Sequence, residues 1–137
     1  MNDRYLFRAK DINNGEWRIG FFREVKTLRG QSVYFIGIPG KLCTDHETDI
    51  KTIGQCTGLM DKNGKLIFEG DILKGHATKC SGNILLAVWH DNSFLLATGL
   101  PDNENTLFYF MGSKTHEKFE IVGNVHDNPE LLEGAGA

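Results

Sequence analysis

Asn63-Gly64, set between Leu59-Met60 and Leu66-Ile67-Phe68, constrains this chain more than any other feature. A tight β-turn needs a positive φ at its centre, which glycine adopts without a Cβ penalty and asparagine tolerates. Asp61 stands where its carboxylate can bond back to the turn backbone, as in Asx-turns. The apolar pattern then breaks at Glu69-Gly70-Asp71 and resumes as Ile72-Leu73. A second glycine so close to the first turn marks a corner, where one strand ends and another leaves at an angle. The same residues do not make a calcium loop. With Gly64 at position six of an EF-hand, Leu59 and Gly70 would occupy the two end ligand positions, and neither offers a carboxylate.

The rest of the chain follows the same grammar. Tyr5 to Lys10 alternates as a strand, Asn13-Asn14-Gly15 turns, and Trp17 to Val25 forms a second strand with an irregularity at Phe21-Phe22. Ser32 to Ile38, rich in β-branched and aromatic residues, is a third. Lys41 to Asp49 reads as a connection with one helical turn near Asp45-His46-Glu47, and Ile50 to Cys56 as a partner for the central stretch. Ile84 to Trp89 is a continuous apolar run, suited to a strand buried on both faces. Asp91-Asn92-Ser93 turns it into Phe94 to Ala97, and Leu107 to Met111 and Lys118 to Val125 are the last strands. Asn128-Pro129-Glu130 has the form of a helix start, with Asn as N-cap and Pro in the first turn.

The expected fold is therefore mainly β: a small, strongly bent barrel or sandwich, preceded by an N-terminal meander and ending in a short helix. The length of 137 residues suits one domain. Residues 1–49 would be meander and connection, 50–133 the barrel-like part, and 134–137 a fraying tail. No apolar run reaches the roughly 18 residues of a membrane span, and the opening residues lack the apolar core of a secretory signal. Three loosely spaced cysteines, Cys43, Cys56 and Cys80, do not form a secreted disulfide framework, so a reducing cytoplasm is expected.

Thr57 to Gly64, Ile67 to Ile72, Val122-Gly123-Asn124-Val125 and Asn128 to Leu132, with Phe7-Arg8-Ala9 near the start, together resemble the YopX family of phage and prophage proteins. The likeness runs from about residue 4 to 132 and is most specific in the middle third; residues 42–49 and 76–82 lie outside it. It implies a small β-rich fold and a phage or prophage origin in a bacterial cytoplasm. It supplies no catalytic residue to carry over. On structural grounds Gly58, Gly64, Gly70 and Gly123 are bends, Asn63 sits in the tight turn and Pro129 opens a helix; Asp61, Glu69, Asp71, Asn124 and Asn128 either satisfy backbone donors at turns and caps or line a shared polar surface for a partner.

Cys43, His46, His76 and Cys80 form a weak candidate zinc set, without the paired CxxC spacing of structural sites. No nucleophile elbow or phosphate loop is present. His90-Asp91 and His126-Asp127 are neighbours in sequence, and neighbours on a strand face opposite ways. No catalytic residue, metal or other cofactor is thus expected, nor an enzyme. The net charge of −3 hides an asymmetry: residues 1–41 hold eight Lys and Arg against four Asp and Glu, whereas residues 42–137 hold seven against fourteen. Two functions remain. The first is a non-enzymatic accessory protein that self-associates or binds a host or phage protein. The alternative is a nucleic-acid-binding module using Arg4, Arg8, Lys10, Arg18, Arg23 and Arg29 among aromatics, against which stands a pI of about 5.9.

Overall fold

Alternating apolar residues and glycine-marked turns give eleven strands and one short α-helix among the described residues. The computed structural model describes residues 5–38, 41, 44–75, 84–111 and 119–135. The chain separates into two compact units, Met1–Cys56 and Thr57–Ala137.

The first unit begins with the expected meander: β1 (Phe7–Lys10), β2 (Trp17–Lys26) and β3 (Ser32–Gly37). β2 pairs with β1 through Trp17–Gly20 and with β3 through Phe21–Lys26. The irregularity expected at Phe21-Phe22 falls where β2 passes from one neighbour to the other. The segment expected as a helical turn is instead a strand, β4 (His46–Thr48), laid against Tyr34, Phe35 and Ile36 of β3. Its sequence has little strand propensity, and the ladder offered by β3 decides its conformation. The helical turn lies further on, a 3-10 turn at Ile50–Thr52 whose start is held by the Asp49 carboxylate accepting from Lys51 N–H. β5 (Gly54–Met60) then places Gly54 and Gln55 against Arg8 and Phe7, so its opening residues pair with the first strand rather than with the central stretch. β4 also returns to the end of β1. Asp11 and Thr48 form a bridge, Ile12 N–H donates to Glu47 C=O at 3.0 Å, and Asp49 N–H donates to Lys10 C=O at 2.9 Å. The meander thereby curls into a partial barrel with Ala9 and Ile36 buried inside.

The second unit contains β6 (Leu66–Phe68), β7 (Asp71–Gly75), β8 (Ile84–His90), β9 (Ser93–Ala97), β10 (Phe108–Phe110), β11 (Phe119–Asn124) and α1 (Glu130–Ala135). Five of these strands form an antiparallel sheet in the order β10-β9-β8-β7-β11. Its two edges do not meet, so the arrangement is sandwich-like and not a closed barrel. Successive residues of β8 serve opposite faces. Leu85 and Ala87 pack with Leu96, Leu73 and Phe119 on one side, where Leu59 and Ile67 of the β5–β6 hairpin cover them. Leu86 and Val88 pack with Ile72, Leu95 and Ala97 on the other, beneath Leu131 and Leu132 of α1. Coverage on both faces explains why β8 reads as an unbroken apolar run. Gly75 sits opposite Phe119, and a Cβ there would run into the Phe119 ring.

Candidate functional site

The residues shared by the Thr57–Lys74 stretch and the C-terminal motif are occupied with main chain. Asp61 is 2% exposed. One carboxylate oxygen accepts from Asn63 N–H and Lys65 N–H, both at 2.9 Å, and the other from Ile121 N–H at 3.0 Å. Lys62 N–H also donates to Phe119 C=O at 2.9 Å, so the hairpin tip fastens to the outer edge of β11. Burial pushes the Asp61 carboxyl up, but the N–H groups of Ile121, Lys65 and Asn63, with the Lys65 charge, outweigh that and hold it below the usual carboxylate range. Of the two turn residues only Gly64 takes a positive φ, 81°. Asn63 contributes its N–H instead.

At the second break Asp71, 1% exposed, accepts from Phe68 N–H at 2.8 Å. Gly70 there has φ 95°. Gly70 N–H donates to Ala87 C=O and Gly70 C=O accepts from Val125 N–H, both at 2.8 Å. Gly58 has φ 83° and lies beside Thr57, whose hydroxyl donates to Ile67 C=O at 2.8 Å. Glu69 is half-buried. Near the end of the chain the Asn124 side-chain oxygen accepts from His126 N–H and Asp127 N–H at 3.0 and 2.9 Å. Asn128 turns its side-chain oxygen back onto Asn124 N–H at 3.3 Å and leaves its own carbonyl for Leu131 N–H ahead of α1. A Cβ on Gly123 would stand 2.6 Å from that oxygen. Pro129 opens the helix, its C=O accepting from Leu132 N–H. Asp61, Asp71, Asn124 and Asn128 thus each accept main-chain N–H groups at a turn or strand end.

A different cluster forms in the N-terminal unit. Asp11 is 5% exposed. It accepts from Asn13 N–H at 2.8 Å with one oxygen, while the other meets Arg18 Nη2 at 3.0 Å and His46 Nδ1 at 3.3 Å. The Asn13 N–H lowers its pKa most; burial opposes this, and Arg18 and His46 add to the lowering. His46 and Arg18 border a shallow groove of about 340 Å³ that also touches Trp17, Ile19, Ile38 and Thr44. A second depression of about 330 Å³ shares Gly37 and Ile38 and runs past Phe21, Arg23, Lys41 and Asp45. Sequence alone did not single out Asp11. The available signal was Asp11-Ile12-Asn13, the same Asp-x-Asn pattern as Asp61-Lys62-Asn63.

The proposed nucleic-acid residues divide between locations. Register places Arg8 opposite Ile19 and Lys10 opposite Trp17, so these four share one sheet face. Arg23 shares a face with its neighbour Phe35. Arg8 lies 4.8 Å and Lys10 5.5 Å from the Trp17 ring centre, and Arg23 lies 5.3 Å from that of Phe35. Arg23 also pairs with Asp45 at 2.6 Å. Arg18, one residue out of step, belongs to the opposite face with Asp11, and Arg29 sits in the β2–β3 turn. Arg4 lies outside the described residues, as do Cys43, His76 and Cys80 of the zinc proposal. The fourth, His46, is held against Asp11, and the described residues contain no group of three metal-ligating side chains.

The family model for the YopX protein matches residues 6–133. The chain belongs to the YopX family. A similar solved structure is protein EF1440 from Enterococcus faecalis, 27% identical, with a TM-score of 0.53 over 92% of this chain and 96% of that one. No curated protein matches. The YopX match therefore extends well beyond the Thr57–Lys74 stretch and includes the N-terminal unit almost whole. Both the scaffold motif and the exposed N-terminal face lie within the matched residues.

Proposed function

We propose that this YopX protein works by protein contact and not by catalysis, presenting the outer face of its N-terminal sheet. One observation carries the reading. Ile19 is 55% and Phe21 36% exposed on a strand whose other aromatic residues are Trp17 and Phe22. Beside them, the Arg8, Lys10 and Arg23 side chains lie over aromatic rings. Exposed aliphatic and aromatic residues bordered by arginine are the composition of interface centres. Membership of the YopX family supports an accessory role in a phage or prophage, with a bacterial cytoplasm as its setting. No described helix is long and apolar enough to cross a membrane.

Nucleic-acid binding is the second reading, favoured by the joint placement of Arg8, Lys10, Trp17, Arg23 and Phe35. Three observations weaken it. Arg8 Nε and Nη2 are buried, the Arg23 charge is matched by Asp45, and Arg18 is on the other face. A photo-crosslinking residue at position 19, activated in the producing bacterium, tests both. Discrete protein adducts that disappear with Phe21→Glu are expected. Nuclease-sensitive adducts would favour the second reading, and no adduct at all would overturn the first.

A further inference from the structure

The two units differ in charge. Unit Met1–Cys56 holds nine Lys and Arg against seven Asp and Glu, a balance of +2; unit Thr57–Ala137 holds six against eleven, a balance of −5. The second unit also has exposed apolar residues of its own. β10 ends the five-stranded sheet and pairs only with β9 among the described strands. Phe110 on that edge is 86% exposed, and Leu107 and Leu100 in the β9–β10 loop are 59% and 51% exposed. The loop carries exposed Asp102 and Glu104. It is also internally braced: Asn103 N–H donates to Leu100 C=O, Thr106 N–H to Asn103 C=O, and the Thr106 hydroxyl to Leu100 C=O. The loop is therefore held in a defined shape.

We infer that the occupant of the N-terminal face is the β9–β10 edge of a second copy of this chain. Phe110 and Leu107 would cover Ile19 and Phe21 of the neighbour, while Asp102 and Glu104 approach its Lys10 and Lys41. Apolar surface meets apolar surface, and the acidic rim meets the basic one, which suppresses other pairings. Each copy offers two different patches, so the contact is head-to-tail and not two-fold symmetric. This inference rests on the protein-contact reading and names its partner.

Sedimentation equilibrium of the whole chain tests it with Ile19→Glu and Phe110→Glu, two substitutions at exposed positions, after melting curves show both variants folded. The unsubstituted protein should associate with concentration, and 0.5 M NaCl should weaken that roughly ten-fold relative to 0.05 M. Each variant alone should lose association at least about ten-fold. An equimolar mixture of the two should recover it, because one intact pair of patches remains, and should stop at a 1:1 dimer. Glu104→Lys should weaken association without removing it. An unsubstituted protein that stays monomeric, a Phe110→Glu variant that associates normally, or a mixture that does not pair would each overturn the head-to-tail contact. None of these would touch the protein-contact reading, which falls only if crosslinking at position 19 yields no protein adduct.

Discussion

Two hairpin turns, one in each unit, are built on the same local pattern and put it to different uses. In Asp11-Ile12-Asn13 and Asp61-Lys62-Asn63 a buried aspartate accepts the N–H two residues on, at 2.8 and 2.9 Å. Each turn ends on a glycine in the left-handed region, Gly15 at φ 74° and Gly64 at φ 81°. The second carboxylate oxygen separates them. In Asp61 it accepts the main-chain N–H of Ile121 and ties one strand edge to a distant hairpin. In Asp11 it meets two side chains, Arg18 and His46, which border a groove. An aspartate closed on main chain stabilises the fold, whereas one closed on side chains arranges groups that remain 27% and 40% exposed.

The largest effect should come from Asp61→Ala. It leaves three main-chain N–H groups without their acceptor and should cost about 3 kcal/mol in urea unfolding, because each lost bond to a carboxylate is expensive. Asp11→Ala should cost clearly less, since Arg18 and His46 can turn to water. Equal losses would erase the distinction between the turns. Next comes Gly75→Ala, expected to cost about 2 kcal/mol because the new methyl meets the Phe119 ring in a filled core. Gly15→Ala and Gly64→Ala should each cost about 1 kcal/mol and match one another, for both have positive φ and open space around them. A large disparity would show that the turns differ locally after all.

Acid should expose the same contrast. The folded pKa values of Asp61 and Asp11 lie below the ordinary 3.8. Their contribution is therefore present in full above that value and is lost as pH falls through the folded pKa. Unfolding followed from pH 6 to pH 2 should show a steep loss for the unsubstituted protein below about pH 4, a shallower one for Asp61→Asn, and the shallowest for Asp11→Asn with Asp61→Asn. Unchanged slopes in all three would remove both carboxylates from the account. Smallest of all, Ile19→Glu should alter stability by less than about 0.5 kcal/mol, the usual range for exposed positions.

Much of this was legible in the residues. Asn63-Gly64 marked the hairpin, Glu69-Gly70-Asp71 the corner, and Ile84 to Trp89 a strand that is buried from Leu85 to Val88, with Trp89 45% exposed. β4 was not legible, because His46-Glu47-Thr48 has no apolar period and becomes a strand only where β3 and Asp11 meet it. The Asp11–His46 contact was hidden for the same reason, since it forms only when β4 curls back to β1. Nor could the exposed face be read. Trp17, Ile19, Phe21 and Phe22 supply apolar residues to both sides of β2, so alternation alone does not say which side meets water.

The central claim is that stability and contact reside on separate parts of this YopX fold. The most direct measurement compares Asp61→Ala with Phe21→Glu, recording for each a melting curve and, well below its melting point, a sedimentation profile. The account predicts that Asp61→Ala melts far lower yet associates as the unsubstituted protein does, while Phe21→Glu melts normally and fails to associate. Loss of association in Asp61→Ala while it remains folded, with normal association in Phe21→Glu, would contradict it.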